Sequence, residues 1–120
     1  MTDWTRLLRP ESRFQLLKNH RDQQPRKGTG SEIDFVPCVK LFVPWGAATF
    51  LLIECDSDGL AFGLADLGFG SPELGYISLD ELAELRGPGG ITIEEDLYFK
   101  TDKPLSQIAD EARSAGMIKA

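Results

Sequence analysis

Residues 58–87 read DGLAFGLADLGFGSPELGYISLDELAELRG and hold the densest run of glycines in the chain. Two tracks of residues alternate from Gly59 to Phe69, and this period of two predicts a β-strand. One track is mostly large and apolar, whereas the other is mostly small, which predicts a close approach of another backbone on that side. The letters LGFGSP then predict a loop, because glycine and proline interrupt regular structure. A second short strand is predicted over residues 74–77.

A short helix is predicted directly after this second strand. Ser78 and Glu81 have the S-x-x-E spacing of a capping box, in which two side chains satisfy free amides at a helix start. Gly87 and the residues after it end the helix. Leucines recur at every third position along it, namely Leu79, Leu82 and Leu85. The opening stretch therefore predicts strand, loop, strand and helix.

The rest of the chain supplies two more helices and three more strands. One helix is predicted over residues 10–19, with Pro10 at its first position, and another over residues 105–115, which Gly116 ends. Period-two patterns predict strands over residues 35–43, 47–55 and 91–100. The hairpin made by the first two of these strands is apolar on both faces, so we expect a sheet that is covered on both sides over part of its area.

The connections complete the predicted layout. Residues 20–32, HRDQQPRKGTGSE, are polar throughout and contain three helix breakers, so we expect a mobile loop. Pro37 indicates an edge position or a bulge in the first strand. The order α-β-β-β-β-α-β-α predicts an α+β fold in a single domain, residues 1–120. Its mainly antiparallel sheet has four to five strands, with helices at the N-terminus, after the fourth strand and at the C-terminus.

The chain has a net charge of −6 that is unevenly distributed. Residues 1–40 contain eight Lys and Arg against five Asp and Glu, so residues 41–120 are strongly acidic. An acidic body argues against general nucleic-acid binding, which needs a basic surface. The uneven charge leaves three interpretations open. The acidic body is a solubilising surface, or it is a face that binds a basic protein, or the basic leading segment is an arm that contacts nucleic acid through Arg21, Arg26 and Lys27.

Two further features bear on the compartment. No apolar run is long enough to cross a bilayer, and the N-terminus lacks the apolar core of a secretory signal. Cys38 and Cys55 lie in apolar strand contexts, where free cysteine behaves as a small hydrophobic residue. We therefore expect a cytoplasmic protein with reduced thiols and no membrane contact.

Acidic residues near the turn that follows residue 55 are the candidate metal site. Glu54, Asp56 and Asp58 lie close together in sequence, with Asp66 and Glu73 on either side of the following loop. Carboxylate oxygens bind magnesium or calcium where two or three of them converge. Because DSDG lacks the remaining ligands of a calcium loop, turn formation on a solvated rim is the favoured interpretation.

Other catalytic and cofactor patterns are weak. His20 is the only histidine and lies in the predicted mobile loop, so a Cys38–His20 nucleophile pair would require that loop to fold back. The glycine-rich turn lacks the Gly-Lys-Ser/Thr ending of a phosphate loop and leads into a strand rather than a helix. We therefore expect no nucleotide and no other cofactor.

Two aromatic residues are predicted at loop tips. Trp45 lies in a hairpin turn, and Phe69 lies between two glycines. Exposed aromatic side chains at such positions are typical anchors of protein interfaces, and the alternative is that both fold over the core. With Glu73 and Tyr76 on the neighbouring strand, they are the predicted protein-binding residues.

Three segments carry a resemblance to a known family: PCVKLFVPWGAATFLLIECD, LAFGLADLGFGSPELGYISLDELAELRG and LYFKTDKPLSQIADEARSAGMI. They resemble a bacterial domain-of-unknown-function family, family number 2958, over residues 7–118, and the block LGFGSPELGYISLDEL is the most specific part. The resemblance implies an accessory protein of plasmids and integrative conjugative elements. It implies no catalytic residue, because the family has no established activity.

Three functions are open at this point. The favoured one is a non-catalytic module that acts by binding another protein, with a host defence system as a candidate target. The second is a nucleic-acid accessory protein that uses the basic residues of the segment 20–32. The third is a metal-dependent hydrolase that uses Glu54, Asp56, Asp58 and Glu73.

Overall fold

A five-stranded antiparallel sheet forms the centre of the computed structural model, which describes residues 3–120. The strands are β1 (Val39–Phe42), β2 (Thr49–Cys55), β3 (Leu60–Asp66), β4 (Glu73–Ser78) and β5 (Glu94–Glu95), in the spatial order β4-β3-β2-β1-β5. The helices are α1 (Pro10–Gln23), α2 (Leu79–Glu84) and α3 (Leu105–Ala115). This architecture confirms the predicted α+β class, the antiparallel sheet and the positions of the helices.

Both faces of the sheet are covered by apolar side chains. On one face, Leu52 and Cys55 of β2 belong to a cluster that includes residues of α1 and α2. On the other face, Leu51 and Ile53 pack with the buried side of α3. A strand that is buried on both faces is expected to be almost continuously apolar, as the sequence TFLLIEC of β2 is. The prediction of a sheet covered on both sides is confirmed.

β2 contains a β-bulge at Ile53. The register between β2 and β3 shifts at this residue, so that Glu54 lies opposite Phe62. In an unbroken ladder Glu54 would instead lie opposite Ala61, a core residue on the face that α1 and α2 cover. The bulge therefore turns the Glu54 carboxylate out of that core and towards the face that carries α3.

Helix α1 satisfies the backbone at the bulge. A bulge leaves ladder groups unpaired, and Nδ2 of Asn19 donates a hydrogen bond of 2.8 Å to the Ile53 carbonyl oxygen. One turn further, the Gln23 side chain donates to the Ile33 carbonyl at 2.8 Å and accepts from the Ile33 N–H at 2.9 Å. Both amide side chains are buried.

These contacts correct two predictions about the N-terminal third of the chain. The helix predicted to end at residue 19 continues to Gln23, because its polar side chains have backbone partners to bond. Residues 20–23 of the predicted mobile loop are therefore helical, and Gln24–Arg26 form a 3-10 turn. The bonds between Gln23 and Ile33 tie the remaining connection to the helix end.

The strand predicted over residues 35–43 is shorter in the structure, where β1 begins at Val39. The Phe35 carbonyl accepts a hydrogen bond from the Leu105 N–H at the start of α3 and so does not join the sheet. β1 lies inside the sheet, between β2 and β5. The interpretation of Pro37 as an edge or bulge residue is therefore wrong, since Pro37 precedes the strand.

The strand predicted over residues 91–100 is reduced to the two residues of β5. The chain turns away after them, because the Asp96 carboxylate accepts a hydrogen bond of 2.9 Å from the Tyr98 N–H. Glu95, whose side chain is buried, accepts from the Arg9 N–H at 2.8 Å and also bonds the Arg9 guanidinium and the Ser12 hydroxyl. This carboxylate fastens the start of α1 to the sheet.

The start of α2 and the end of α3 agree with the sequence, whereas α2 ends at Glu84, before the predicted stop at Gly87, and Leu85 of the predicted leucine stripe is exposed. The Ser78 hydroxyl caps α2 by accepting a hydrogen bond of 3.3 Å from the Glu81 N–H. Gly116 ends α3 in the left-handed conformation, with φ of 75°. Asp66 then accepts from the Ile118 N–H at 3.0 Å and holds the end of the chain against β3. Between residues 3 and 120, no helix is long and apolar enough to cross a membrane.

The small-residue track of β3 allows a close backbone approach, as predicted, and this can be tested. A Cβ built at Gly63 would lie 1.9 Å from the Leu51 carbonyl oxygen, whereas one at Gly75, its partner on β4, would meet nothing within 4 Å. We expect Gly63→Ala to lower the free energy of unfolding by about 3 kcal/mol, because a backbone atom cannot move aside by changing rotamer. Gly75→Ala is the matched control and should change stability little. Urea unfolding curves measure both variants, and equal stabilities would contradict the close approach.

Candidate functional site

A pocket of about 420 Å³ opens where the α3 face of the sheet meets the connection between α1 and β1. Its floor comes from β2, β3 and β4, and its rim comes from the residues after α1 and the first turn of α3. The pocket is lined by Gln23, Lys27, Glu32, Ile33, Asp34, Ile53, Glu54, Phe62, Leu74, Tyr76, Leu105 and Ser106. It therefore combines an apolar and aromatic wall with four charged side chains.

Glu54 lies at the base of this pocket, and only 5% of its side chain is exposed. Nδ1 of His20 lies 3.1 Å from Oε1 of Glu54, and Nζ of Lys27 lies 3.9 Å from the same oxygen. The bulge in β2 gives the carboxylate its direction, and the extra turn of α1 brings His20 to it. A buried carboxylate is costly without such partners, so these contacts make its position possible.

Tyr76 of β4 forms the outer wall of the pocket. Its ring meets Phe62 edge to face, with ring centres 5.2 Å apart and an angle of 78° between the planes. Nζ of Lys27 lies 5.7 Å from the centre of the Tyr76 ring and donates a hydrogen bond of 3.4 Å to the hydroxyl group. The structure thus brings together Lys27, Tyr76 and Glu54, three residues that the sequence assigned to three different kinds of site.

The two aromatic residues predicted at loop tips have different environments. Trp45 packs against the core, and a Cβ built at Gly87 would lie 2.3 Å from its indole ring. Phe69 is 85% exposed in the loop before β4. The alternative for both residues was that they fold over the core. Trp45 does so, whereas Phe69 does not.

The three basic residues of the segment 20–32 also differ. Lys27 points into the pocket, between the Glu54 carboxylate and the Tyr76 ring. Arg26 is exposed and donates a hydrogen bond of 3.2 Å to the Ser31 carbonyl oxygen. Arg21 is exposed near the end of α1. Of the three, Lys27 alone lines the pocket.

The acidic residues of the predicted metal site do not form one cluster. Oδ1 of Asp56 accepts hydrogen bonds of 2.9 Å from the N–H groups of Asp58 and Leu60 and so closes the turn between β2 and β3. Glu54 faces the pocket, and Glu73 lies on the face of β4 opposite to Tyr76, because strand residues alternate. In the part of the chain that the structure describes, no group of three or more His, Cys, Asp or Glu side chains is arranged to hold a metal ion.

The residues that sequence reasoning missed are those that build the pocket rim. Asn19 and Gln23 fix the end of α1, and Asp34 bonds the N–H and the hydroxyl of Ser106 at the first turn of α3. The sequence contains a pattern that could have identified Asn19 and Gln23 as buried helix residues. Buried positions in α1 recur at spacings of four, three and four, namely Ser12, Leu16, Asn19 and Gln23, but only one of the four is apolar.

The comparisons with known proteins agree with the resemblance found in the sequence. A model of the family described as "Protein of unknown function (DUF2958)" matches residues 7–119, a range that includes all three helices and all five strands. The chain belongs to this family. No curated protein and no solved structure matches the chain.

The two cysteines are free thiols whose reactivity can be predicted. Burial raises the pKa of Cys38 to about 11, and burial together with the nearby carboxylate of Asp56 raises the pKa of Cys55 to about 12. Only the thiolate is nucleophilic, so both groups should be unreactive at neutral pH. We expect iodoacetamide at pH 8 to modify the folded protein about a hundredfold more slowly than the urea-unfolded chain, where thiol pKa values are normal. Equal rates in the two states would show that a thiol is activated in the fold.

Proposed function

We propose that this protein is a non-catalytic binding module that captures an extended segment of a partner protein alongside β4. The observation that carries the proposal is that β4 is an edge strand with outward-facing backbone groups and exposed apolar side chains. Addition of a partner strand to such an edge is a common mode of peptide recognition, in which backbone hydrogen bonds supply affinity and side-chain pockets supply specificity.

The direction of the backbone groups follows from the register of β3 and β4. The Leu79 N–H donates to the Gly59 carbonyl at 2.9 Å, one pair beyond the end of the ladder. Opposed residues in an antiparallel ladder alternate between hydrogen-bonded and non-hydrogen-bonded pairs. Residues 73, 75 and 77 therefore bond to β3, whereas Leu74 and Tyr76 turn their N–H and C=O groups away from the sheet.

The two edges of the sheet differ in a way that supports this proposal. β5 consists of two glutamates, and short, charged edge strands resist further pairing. β4 has six residues, of which Leu74 is 37% exposed and Tyr76 is 62% exposed. Phe69, in the loop that leads into β4, is also exposed. Natural proteins protect exposed edges unless they use them, so this edge has the properties of a binding surface.

We further propose that the protein works in the bacterial cytoplasm as an accessory protein of a plasmid or integrative conjugative element. Its partner would be a host protein, with a component of the host's immune defence as the leading candidate. The mobile-element setting is what the sequence resemblance to the family implies, and the two free cysteines suit a reducing compartment. The net charge of −6 favours a partner with a basic surface.

Selection of short random peptides displayed on phage tests the proposal, because it requires no named partner. We expect the purified protein to enrich peptides that bind in extended form. Their binding should be lost in Leu74→Pro, which removes an outward N–H as well as the side chain, and only weakened in Leu74→Ala, which removes the side chain alone. Tyr76→Ala should weaken the same peptides by about tenfold or more, because aromatic anchors dominate such interfaces. Tyr98→Ala, a change of an even more exposed tyrosine beyond the other edge strand, is the matched control.

Two results would overturn the proposal. One is the absence of any enriched peptide that distinguishes Leu74→Pro from Leu74→Ala. The other is salt-sensitive binding of duplex DNA that is lost in a double variant, Arg21→Ala with Arg26→Ala, while no peptide binds, since that result would favour the nucleic-acid hypothesis.

A further inference from the structure

The pocket beside β4 has an excess of negative charge. Three carboxylates line it, those of Glu32, Asp34 and Glu54, against the single ammonium group of Lys27. Glu32 accepts one hydrogen bond from the Gly28 N–H at 3.2 Å, and Asp34 accepts from the backbone and hydroxyl of one serine. A carboxylate can accept about four hydrogen bonds, so each of these groups has acceptor capacity left.

The aromatic wall of the pocket already faces a cation. Nζ of Lys27 lies 5.7 Å from the centre of the Tyr76 ring and 3.4 Å from its hydroxyl oxygen, so the ammonium group meets the ring at its hydroxyl end. Its distance of 3.9 Å from Oε1 of Glu54 is longer than a hydrogen bond. Lys27 therefore occupies a place for a positive charge between a ring and a buried carboxylate without bonding that carboxylate directly.

We propose that this pocket binds an arginine side chain of the extended partner segment, and that Lys27 occupies its place until the segment arrives. This inference rests on the proposed strand addition at β4. A residue paired with Tyr76 across an added strand projects its side chain to the same face as Tyr76. That face carries the pocket, because Phe62, Leu74 and Tyr76 all line it.

Arginine fits this pocket better than other side chains for three reasons. Its planar guanidinium stacks on aromatic rings and bonds carboxylates with two parallel hydrogen bonds. Its aliphatic stem can pack on the apolar wall formed by Ile53, Leu74 and Leu105. Its charge opposes the net negative charge of the lining. The incoming guanidinium would displace the Lys27 ammonium towards solvent, where that exposed side chain is readily hydrated.

Two blocked peptides of about six residues, the length of an ordinary strand, test the inference. Both alternate valine and threonine, and they differ only in one central residue, arginine in one and its neutral isostere citrulline in the other. The third probe is N-acetyl-arginine amide, which has no strand to add. Binding of each probe to the ¹⁵N-labelled protein is followed by amide chemical shifts, which also report whether each variant is folded.

We expect the arginine peptide to bind about tenfold more tightly than the citrulline peptide, since a charged guanidinium donates stronger hydrogen bonds to a carboxylate than the neutral ureido group of citrulline does. This preference should disappear in Glu54→Gln and shrink in Glu32→Gln, a change at an exposed rim position that does not threaten the fold. Lys27→Met should strengthen binding of the arginine peptide by about threefold, because the competing internal cation is gone. Glu94→Gln, at the other edge of the sheet, makes the same change in net charge and should have no effect.

The outcomes separate this inference from the proposed function. Equal binding of both peptides, sensitive to Leu74→Pro, would overturn the arginine pocket and leave strand addition intact. Binding of N-acetyl-arginine amide that depends on Glu54, with no gain from the peptide, would support the pocket and contradict strand addition. Weaker binding of the arginine peptide to Lys27→Met, or no binding of any arginine probe, would overturn the inference.

Discussion

The hydrogen bond from Asn19 to the Ile53 carbonyl is the contact on which the rest of the structure depends. The bulge at Ile53 keeps the charge of Glu54 out of the core that α1 and α2 cover, because it turns the carboxylate towards the α3 face. A bulge in a buried strand needs an external donor for its carbonyl, and α1 supplies one at 2.8 Å. The next residue of the same helix, His20, then reaches the displaced carboxylate.

The bulge and the two sheet edges together position the candidate site. Because Glu54 and Phe62 lie opposite each other, a buried carboxylate and an aromatic wall share one pocket. The connection after α1 closes this pocket and contributes Lys27. The pocket is continuous with β4, the long apolar edge, whereas the opposite edge is short and acidic. We infer that both the backbone and the side-chain features that a peptide segment would contact lie on one side of the molecule.

Local patterns predicted the fold well and the pocket poorly. Alternation in β3, the cap at Ser78 and the stop at Gly116 are encoded within a few residues, so the sequence was sufficient for them. The end of α1 was missed, because its buried stripe is mainly polar and only its distant partners explain it. Glu54 and Lys27 were recognised as charged site residues but assigned to different functions. Their meeting depends on a register shift and on a helix end, and neither has a pattern in the local sequence.

Hydrogen exchange of individual backbone amides in the free protein is the most direct test of an open edge at β4. We predict that the amides of Gly75 and Ile77, which bond to β3, exchange slowly. Those of Leu74 and Tyr76, which point away from the sheet, should exchange at rates close to those of an unfolded chain. Equal protection of all four amides would contradict the open edge, because it would mean that another part of the protein or a second copy already covers β4.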